Sequence, residues 1–132
     1  MAKRKPTVRG LKKKADILFS IYKRMSEGDG PCCTCGKWMR WKDAQCGHYI
    51  SRAYNNTRYD KQNTARQCAF CNVWREGEKD LFGKHLQERY GEDIIDELRQ
   101  RANKKKRWTV WELEELCEEL KLKIKLLEKK HD

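Results

Sequence analysis

The sequence predicts a mixed α+β fold, mostly helical, in which a metal ion holds together a small central core. Two Cys-x-x-Cys turns, Cys32–Cys35 and Cys68–Cys71, are separated by 32 residues. Paired thiolates at this spacing can share one metal ion. Apolar residues recur at helical spacing before and after the two turns. Only 38% of the residues are hydrophobic, so a bound metal would supply stability that so small a core lacks.

The four cysteines of the two turns are the predicted metal ligands. We expect one structural zinc ion per chain, because four thiolates form the closed tetrahedral site that is typical of structural zinc. The ligands would be Cys32, Cys35, Cys68 and Cys71. Cys33 is the alternative to Cys32, although it leaves only one residue before Cys35. The gap between the turns is longer than in a simple zinc ribbon, which indicates a folded segment between them.

The positive charge of the chain predicts a polyanionic partner. The net charge is +11, and residues 1–30 and 31–75 each carry a net charge of +6. A phosphate backbone would bind this field, so we expect DNA as the partner. The candidate phosphate contacts are Lys12, Lys13, Lys14, Arg52 and Arg58. The alternative is a basic protein whose charge serves solubility alone.

The cysteine count and the hydropathy predict a reducing compartment. Seven cysteines are an odd number, and no apolar run near the N-terminus is typical of a signal peptide. We therefore expect zinc-bound thiolates in the cytoplasm, not a disulfide scaffold. The sequence contains no stretch of 18 apolar residues, so no membrane segment is expected.

The chain is predicted to form one domain of 132 residues with five segments. They are a mobile basic arm (1–14), an N-terminal helix (15–29), a zinc-clamped core (30–79), a helical extension (80–103), and a basic linker with a C-terminal helix (104–132). Apolar periodicity from Leu11 to Met25, widened by Ile17 and Ile21, predicts that helix over 11–27. The core is expected to contain a hairpin over 36–50, with strands at 38–41 and 44–50.

Helices are predicted after the second turn. One continues from Asn72 to Lys79, and Asp80 caps the next, which Gly91 ends. A third runs through Ile94, Ile95 and Leu98. Thr109 to Glu112 form a capping box that begins the C-terminal helix, whose apolar stripe folds back on the domain or pairs with a second copy. The stripe consists of Leu113, Leu116, Leu120, Ile124 and Leu127.

Several short motifs, taken together, carry a resemblance to a known family. They are Leu11-Lys-Lys-Lys-Ala15, Leu18-Phe-Ser20, Thr34-Cys-Gly-Lys37, Gln45-Cys-Gly-His-Tyr-Ile-Ser-Arg52, Thr57-Arg-Tyr-Asp60, Gln67-Cys68, Cys71-Asn72 and Tyr90-Gly91. As a set they are similar to the NinG/Rap family of phage recombination proteins, over nearly the whole chain. The two cysteine turns around His48 also resemble the ββα-metal (HNH) nucleases with a zinc clamp, among them the endonuclease VII-type junction resolvases.

The resemblance implies a role for three polar residues. His48 would be the general base, because a neutral imidazole with a pKa of about 6.5 can take a proton from water near neutral pH. Asn63 would brace the hairpin through backbone hydrogen bonds. Asn72 would hold a catalytic Mg²⁺ or Mn²⁺ ion by its amide oxygen.

One residue departs from the commoner HNH pattern. Many members have Asp or His directly before the base as a second metal ligand, whereas this chain has Gly47. Magnesium keeps several waters, so Asn72 with water and phosphate oxygens could suffice. Asp43, Gln45 or Asp60 are the alternative ligands.

The family implies a structure-selective, divalent-metal-dependent DNA endonuclease that acts on branched recombination intermediates such as Holliday junctions and D-loops. It would work in the cytoplasm of a bacterial host, as a possible homodimer, with phage or host recombination proteins as possible partners. A first alternative is a non-catalytic, zinc-dependent DNA-binding module that recruits recombination proteins, which Gly47 favours. A second is a sequence-directed HNH nicking or homing endonuclease.

Overall fold

A computed structural model describes residues 4–130, so residues 1–3 of the predicted arm and 131–132 of the C-terminal segment lie outside it. Its helices are α1 (Val8–Glu27), α2 (Lys79–Tyr90), α3 (Ile94–Asn103) and α4 (Val110–Lys130). Its strands are β1 (Gly30–Pro31), β2 (Trp38–Met39), β3 (Gln45–His48) and β4 (Thr64–Gln67). A 3-10 turn (Lys61–Asn63) and a π-helical turn (Phe70–Trp74) flank β4. The mixed, mostly helical fold class is confirmed.

The chain divides into two compact units. The first combines the N-terminal segment up to Tyr22 with the segment from Arg107 onward, and the second spans Lys23–Lys106. Among the described residues, no helix combines the length and the apolarity that a bilayer crossing requires.

In the first unit, α1 begins earlier than the sequence predicts. The Thr7 hydroxyl accepts a hydrogen bond from the Gly10 N–H at 3.0 Å, and the Thr7 carbonyl accepts one from the Leu11 N–H at 2.9 Å. Thr7 therefore caps the helix, and Gly10 does not interrupt it. The prediction of a mobile arm over 1–14 is wrong from Val8 onward, and Lys12, Lys13 and Lys14 lie on α1.

The capping box of α4 is confirmed. The Thr109 hydroxyl accepts from the Glu112 N–H at 3.2 Å, and the Glu112 carboxylate accepts from the Thr109 N–H at 3.2 Å. The buried face of α4 consists of Leu113, Cys117, Leu120 and Ile124. In α1, Ala15 and Phe19 are buried, whereas Ile17 is 63% exposed and does not widen the core face.

In the second unit, the predicted hairpin over 36–50 is wrong. Strand β2 pairs with β1, and β3 pairs with β4 in the register Gln45↔Gln67 to His48↔Thr64. Residues 40–44 form successive turns, because the Asp43 and Ala44 N–H groups donate to carbonyls three residues back, and Asp29 accepts from the Trp41 N–H. Strand β3, which ends at His48, pairs instead with β4, and a polar loop connects the two strands.

The helix predicted over 72–79 is helical only as far as Trp74, and its continuation to Lys79 is wrong. The π-helical turn ends at Trp74, and Glu76, Gly77 and Glu78 have positive φ angles of 52°, 85° and 49°. Left-handed residues end a helix, so α2 begins afresh at Lys79. Glu78, not Asp80, occupies the N-cap position, and its side chain makes no capping bond.

The later elements follow the prediction. Gly91, with a φ of 105°, ends α2, and α3 buries Ile94 and Leu98. These two residues pack with Ala65 of β4 and with Phe82 and Leu86 of α2. The β3–β4 sheet is therefore held against α2 and α3 by one apolar cluster.

A buried ion-pair network joins three elements of the second unit. Glu27, at the end of α1, is 3.0 Å from the Lys23 ammonium and 2.7 Å from the Arg89 guanidinium of α2. Its carboxylate also accepts from the Arg66 N–H of β4 at 3.1 Å. Burial by itself raises the pKa of Glu27, but Lys23 and Arg89 outweigh burial, and the pKa lies below its usual value.

We expect Glu27→Gln to lower the free energy of unfolding by about 1–3 kcal/mol at pH 7, because two cations and an N–H lose a charged partner. The pKa of Glu27 is lowered on folding, so its contribution is present above the pKa of an unfolded glutamate, about 4.3, and is lost as the pH falls further. The difference from the wild type should therefore narrow below about pH 4. Urea unfolding at both pH values measures it, with the exposed Glu88→Gln as the control. Equal stabilities at pH 7 would contradict the network.

Candidate metal centre and active site

Four cysteine sulfurs converge at one point of the second unit. The Sγ atoms of Cys32, Cys35, Cys68 and Cys71 all lie within 4.8 Å of one another. Those of Cys35 and Cys68 are 3.7 Å apart. A zinc ion with four bonds of about 2.3 Å holds its sulfurs about 3.8 Å apart. The spacing fits zinc, and the cluster consists of the four residues that the sequence predicts.

Hydrogen bonds from backbone N–H groups favour the thiolate form of Cys32. The Cys32 sulfur accepts from the N–H groups of Cys35 at 3.5 Å and Cys68 at 3.4 Å, and the Cys68 sulfur accepts from the Cys71 N–H at 3.4 Å. The Thr34 hydroxyl lies 3.3 Å from the Cys32 sulfur. Burial raises the pKa of Cys32, but these hydrogen bonds, that of Thr34 first, lower it to about 6. A metal would thus meet a ligand that readily loses its proton.

Cys33 is excluded as the ligand in place of Cys32. Its side chain packs against the apolar cluster of Ala65 and Phe82, away from the four sulfurs. Burial there raises the pKa of the Cys33 thiol far above its usual value. The alternative left open by the sequence is therefore resolved in favour of Cys32.

His48, at the end of β3, has one ring nitrogen held by the loop that follows. Its Nε2 lies 2.9 Å from the carbonyl oxygen of Arg58. A carbonyl can only accept, so Nε2 carries the proton and donates, and Nδ1 is the nitrogen that can take up a further proton. The Lys79 ammonium, at the start of α2, donates to the His48 carbonyl. Both contacts fix the end of the strand.

Asn63 is fully buried and braces the loop between β3 and β4. Its Oδ1 accepts from the Ile50 N–H at 2.8 Å. Its Nδ2 donates to the carbonyls of Ile50 at 3.0 Å and Thr57 at 3.1 Å. Arg58, whose carbonyl accepts from His48, directly follows Thr57. By holding Thr57, Asn63 therefore helps to position the Arg58 carbonyl.

Asn72 is oriented by a side chain of β3. Its Nδ2 donates to Gln45 Oε1 at 2.6 Å, which leaves Oδ1 as the oxygen that can bind a cation. Gln45 is the first residue of β3 and His48 is the last. Gln45, which contacts Asn72, and His48 are therefore separated by roughly 10 Å along the strand. Strand alternation also places Gln45 and His48 on opposite faces of the sheet.

The other alternative ligands lie in different surroundings. Asp60 caps the 3-10 turn through the Gln62 N–H, and it accepts from the Arg101 guanidinium at 2.9 Å. Asp43 is exposed in the turns between β2 and β3. Gln45 is the one of the three that contacts Asn72.

Gly47 is required by packing. A Cβ atom at this position would overlap Gln67 Oε1 and would lie 3.0 Å from Phe82 Cε2. Gln67 is fixed there because its Nε2 donates to the Gly77 carbonyl at 2.8 Å and to the Thr34 hydroxyl at 3.2 Å. Its Oε1 is buried and accepts no hydrogen bond from the described residues. The position before His48 therefore has no room for a carboxylate.

The candidate DNA-contact residues are spread over both units. Lys12, Lys13 and Lys14 belong to the first unit. In the second, Arg52 is exposed, whereas Arg58 folds back and donates to the Arg52 carbonyl at 2.9 Å. Glu27, Gln67 and Lys79 support the site but were not predicted. Their partners are distant in sequence, so no local pattern marks them.

Comparison with known proteins gives one family. A family model described as Bacteriophage Lambda NinG protein matches residues 2–130. The chain is 28% identical to protein ninG of Escherichia phage lambda over 116 residues, 86% of this chain and 55% of that protein. It is 30% identical to protein ninG of Salmonella phage P22 over 116 residues, with the same coverage of 86% and 55%. For protein ninG of Escherichia phage 933W the values are 29%, 86% and 56%.

The chain spans about half the length of the curated relatives it matches. No solved structure matches it significantly.

The choice between Cys32 and Cys33 can be tested by zinc content. We expect Cys32→Ser to lose the bound zinc and to unfold the second unit, because metal binding energy is folding energy at such a site. Cys33→Ser is the matched control and should keep one zinc ion per chain. Elemental analysis and circular dichroism of both variants measure this, and equal zinc loss from both would contradict the assignment.

The packing of Gly47 can be tested by a double-mutant cycle. We expect Gly47→Ala to lower the free energy of unfolding by about 1–3 kcal/mol, the usual cost of overpacking. The cost should shrink in a Gln67→Ala background, where the overlapping amide is gone. Gly83→Ala is the control, because its Cβ would meet its nearest neighbour at an ordinary 3.5 Å. A cost that Gln67→Ala leaves unchanged would place the clash elsewhere.

Proposed function

This chain belongs to the bacteriophage Lambda NinG family, and from that premise we propose that it is a structure-selective DNA endonuclease of the ββα-metal type. Its substrates would be branched recombination intermediates such as Holliday junctions and D-loops. The observation that carries the proposal is the hydrogen bond between His48 Nε2 and the Arg58 carbonyl. It selects the ring tautomer that a general base needs.

In the proposed reaction, His48 Nδ1 takes a proton from water. The resulting hydroxide forms a new bond to phosphorus, the bond between phosphorus and the 3′ oxygen breaks, and that oxygen leaves with the electron pair. The brace by Asn63 and the contact from Lys79 hold the base before the substrate arrives. Prearranged groups cost less to order in the transition state.

A divalent cation would be held by Asn72, whose amide oxygen faces away from the hydrogen bond to Gln45. When bound, Mg²⁺ or Mn²⁺ would stabilise negative charge on the phosphate and on the leaving oxygen. Gly47 supplies no second ligand, so the remaining coordination would come from water and phosphate oxygens, which suits Mg²⁺. Asn72 would then be the protein's single ligand to this cation.

The charge distribution supports DNA as the substrate. Residues 31–75, which contain the candidate site, carry a net charge of +6. Arg52 is exposed on the loop after His48, where it would meet a phosphate of bound DNA. Such contacts follow the backbone and not the bases, so recognition would depend on the shape of the branched DNA.

A second candidate function is a zinc-dependent DNA-binding module that recruits recombination proteins and does not cut. The packing of Gln67 against Gly47 favours it, because this packing leaves no room for the second metal ligand that many HNH enzymes have. The separation along β3 between His48 and Gln45, the residue that contacts Asn72, also favours a module that does not cut.

Cleavage of a labelled four-way junction separates the two candidates. We expect the wild type to cut the junction, and not the matching linear duplex, when Mg²⁺ or Mn²⁺ is added. His48→Ala should lose about 10²–10⁴-fold in rate, as for other general bases. Omitting the added cation is preferable to a chelator, because the structural zinc then stays bound.

His85→Ala is the matched control, since His85 is a half-buried histidine of α2 outside the site. It should cut at the wild-type rate, and the zinc content of each variant verifies folding. Tight binding without cutting, in either metal, would favour the recruitment module. If the protein bound neither the junction nor the linear duplex, both candidate functions would be contradicted.

A further inference from the structure

Two exposed aromatic rings line an open groove beside the cysteine cluster. Trp38 of β2 is 69% exposed, and Phe70 of the π-helical turn is 54% exposed. Both line this groove, which we call the knuckle groove; its other lining residues include Lys37, Met39, Arg40 and Asp43. Large aromatic side chains that stay exposed at a shared concave surface mark a binding site more often than scattered apolar residues do.

Basic side chains lie near both rings. Lys37 and Arg40 line the knuckle groove with one acid, Asp43. The Arg75 guanidinium lies 5.0 Å from the centre of the Phe70 ring and also pairs with Glu78 at 3.1 Å. Aromatic faces interleaved with cations are the features by which proteins bind single-stranded nucleic acid. In a duplex the bases are already stacked, so only an unpaired base can reach such a ring.

Both rings are attached to backbone segments next to the cysteine cluster. Trp38 belongs to a strand residue pair with Pro31, in the sheet next to Cys32. Phe70 directly precedes Cys71 of the metal cluster. A metal bound by the cysteines would order both segments before DNA binds, which lowers the entropy cost of stacking.

A protein partner is the competing occupant, because Trp, Phe and Arg are also enriched at protein interfaces. Charge decides against a second copy: two such grooves facing each other would bring like charges together. It favours a polyanion instead. Trp111 offers the contrast, since it is 68% exposed but lies in a groove with Glu114, Glu115 and Glu118, which would repel phosphate.

We propose that the knuckle groove binds an unpaired base of branched DNA, which stacks on Trp38 and Phe70 while Lys37 and Arg40 contact the flanking phosphates. This inference rests on the proposed function, in that it takes DNA as the ligand. It assigns to the zinc-clamped core a second role, which is to recognise the unpaired strand at a branch point.

The test compares binding of a single-stranded oligonucleotide and of a duplex with the same sequence. Each carries 2-aminopurine, whose fluorescence falls on stacking, and no Mg²⁺ is added, so that binding is measured without cutting. The variants are Trp38→Ala and Phe70→Ala, with Trp38→Phe as the conservative variant and Trp111→Ala as the matched control. Zinc content verifies that each variant is folded.

We expect Trp38→Ala and Phe70→Ala to weaken single-strand binding by about 5–100-fold each, the effect of losing one stacked base. Affinity for the duplex should change less than about twofold, since phosphate contacts dominate there. Trp38→Phe should keep most of the affinity and of the 2-aminopurine quenching, and Trp111→Ala should change neither.

Unchanged single-strand binding by both alanine variants, or an equal loss on duplex and single strand, would overturn the proposal. A change in sedimentation of Trp38→Ala without a change in single-strand binding would identify a second copy as the occupant. If the wild type cuts junctions and both alanine variants bind single strands normally, only this inference fails. If the wild type binds neither DNA, the proposed function fails with it.

Discussion

The convergence of four cysteine sulfurs within 4.8 Å is the constraint on which the second unit depends. Strands of two to four residues cannot stabilise themselves, and here each of two small sheets has only two strands. The first cysteine turn lies between β1 and β2, and the second begins directly after β4. A metal at this point therefore fixes one sheet relative to the other, and with it the start of the turn that carries Asn72.

Gln67 transmits this constraint to the candidate active site. One amide group bonds to Thr34, beside the Cys32 sulfur, and to the carbonyl of Gly77, in the left-handed turn before α2. The same amide fills the space next to Gly47. The position before His48 lacks a carboxylate because Gln67 occupies the space that such a side chain would need. An acidic residue there would displace the Gln67 amide and break its hydrogen bonds to Thr34 and Gly77.

The sequence was informative where chemistry is local. Cysteine spacing predicts the four sulfurs, and the Thr109–Glu112 pattern predicts its capping box. Predictions from the sequence failed where contacts between distant residues determine the local structure. The hairpin prediction paired neighbouring segments, although β3 joins β4 across a loop of 15 residues that Asn63 braces. The helix predicted after Asn72 was broken by a turn that Gln67 holds from ten residues away. Hydrophobic periodicity over a strand of four residues is too short to indicate either the β3–β4 pairing or the contact between Gln67 and Gly77.

Trp38 and Trp111 show why overall composition does not identify a binding surface. Their exposed fractions are nearly equal, 69% and 68%, and the chain as a whole carries a charge of +11. Yet Trp38 lies among Lys37 and Arg40, whereas Trp111 lies among glutamates. The field that a phosphate meets at short range comes from the groups within about one Debye length, roughly 10 Å. Two tryptophans of nearly equal exposure therefore lie in opposite electrostatic surroundings, with basic side chains in the groove of one unit and glutamates in the groove of the other.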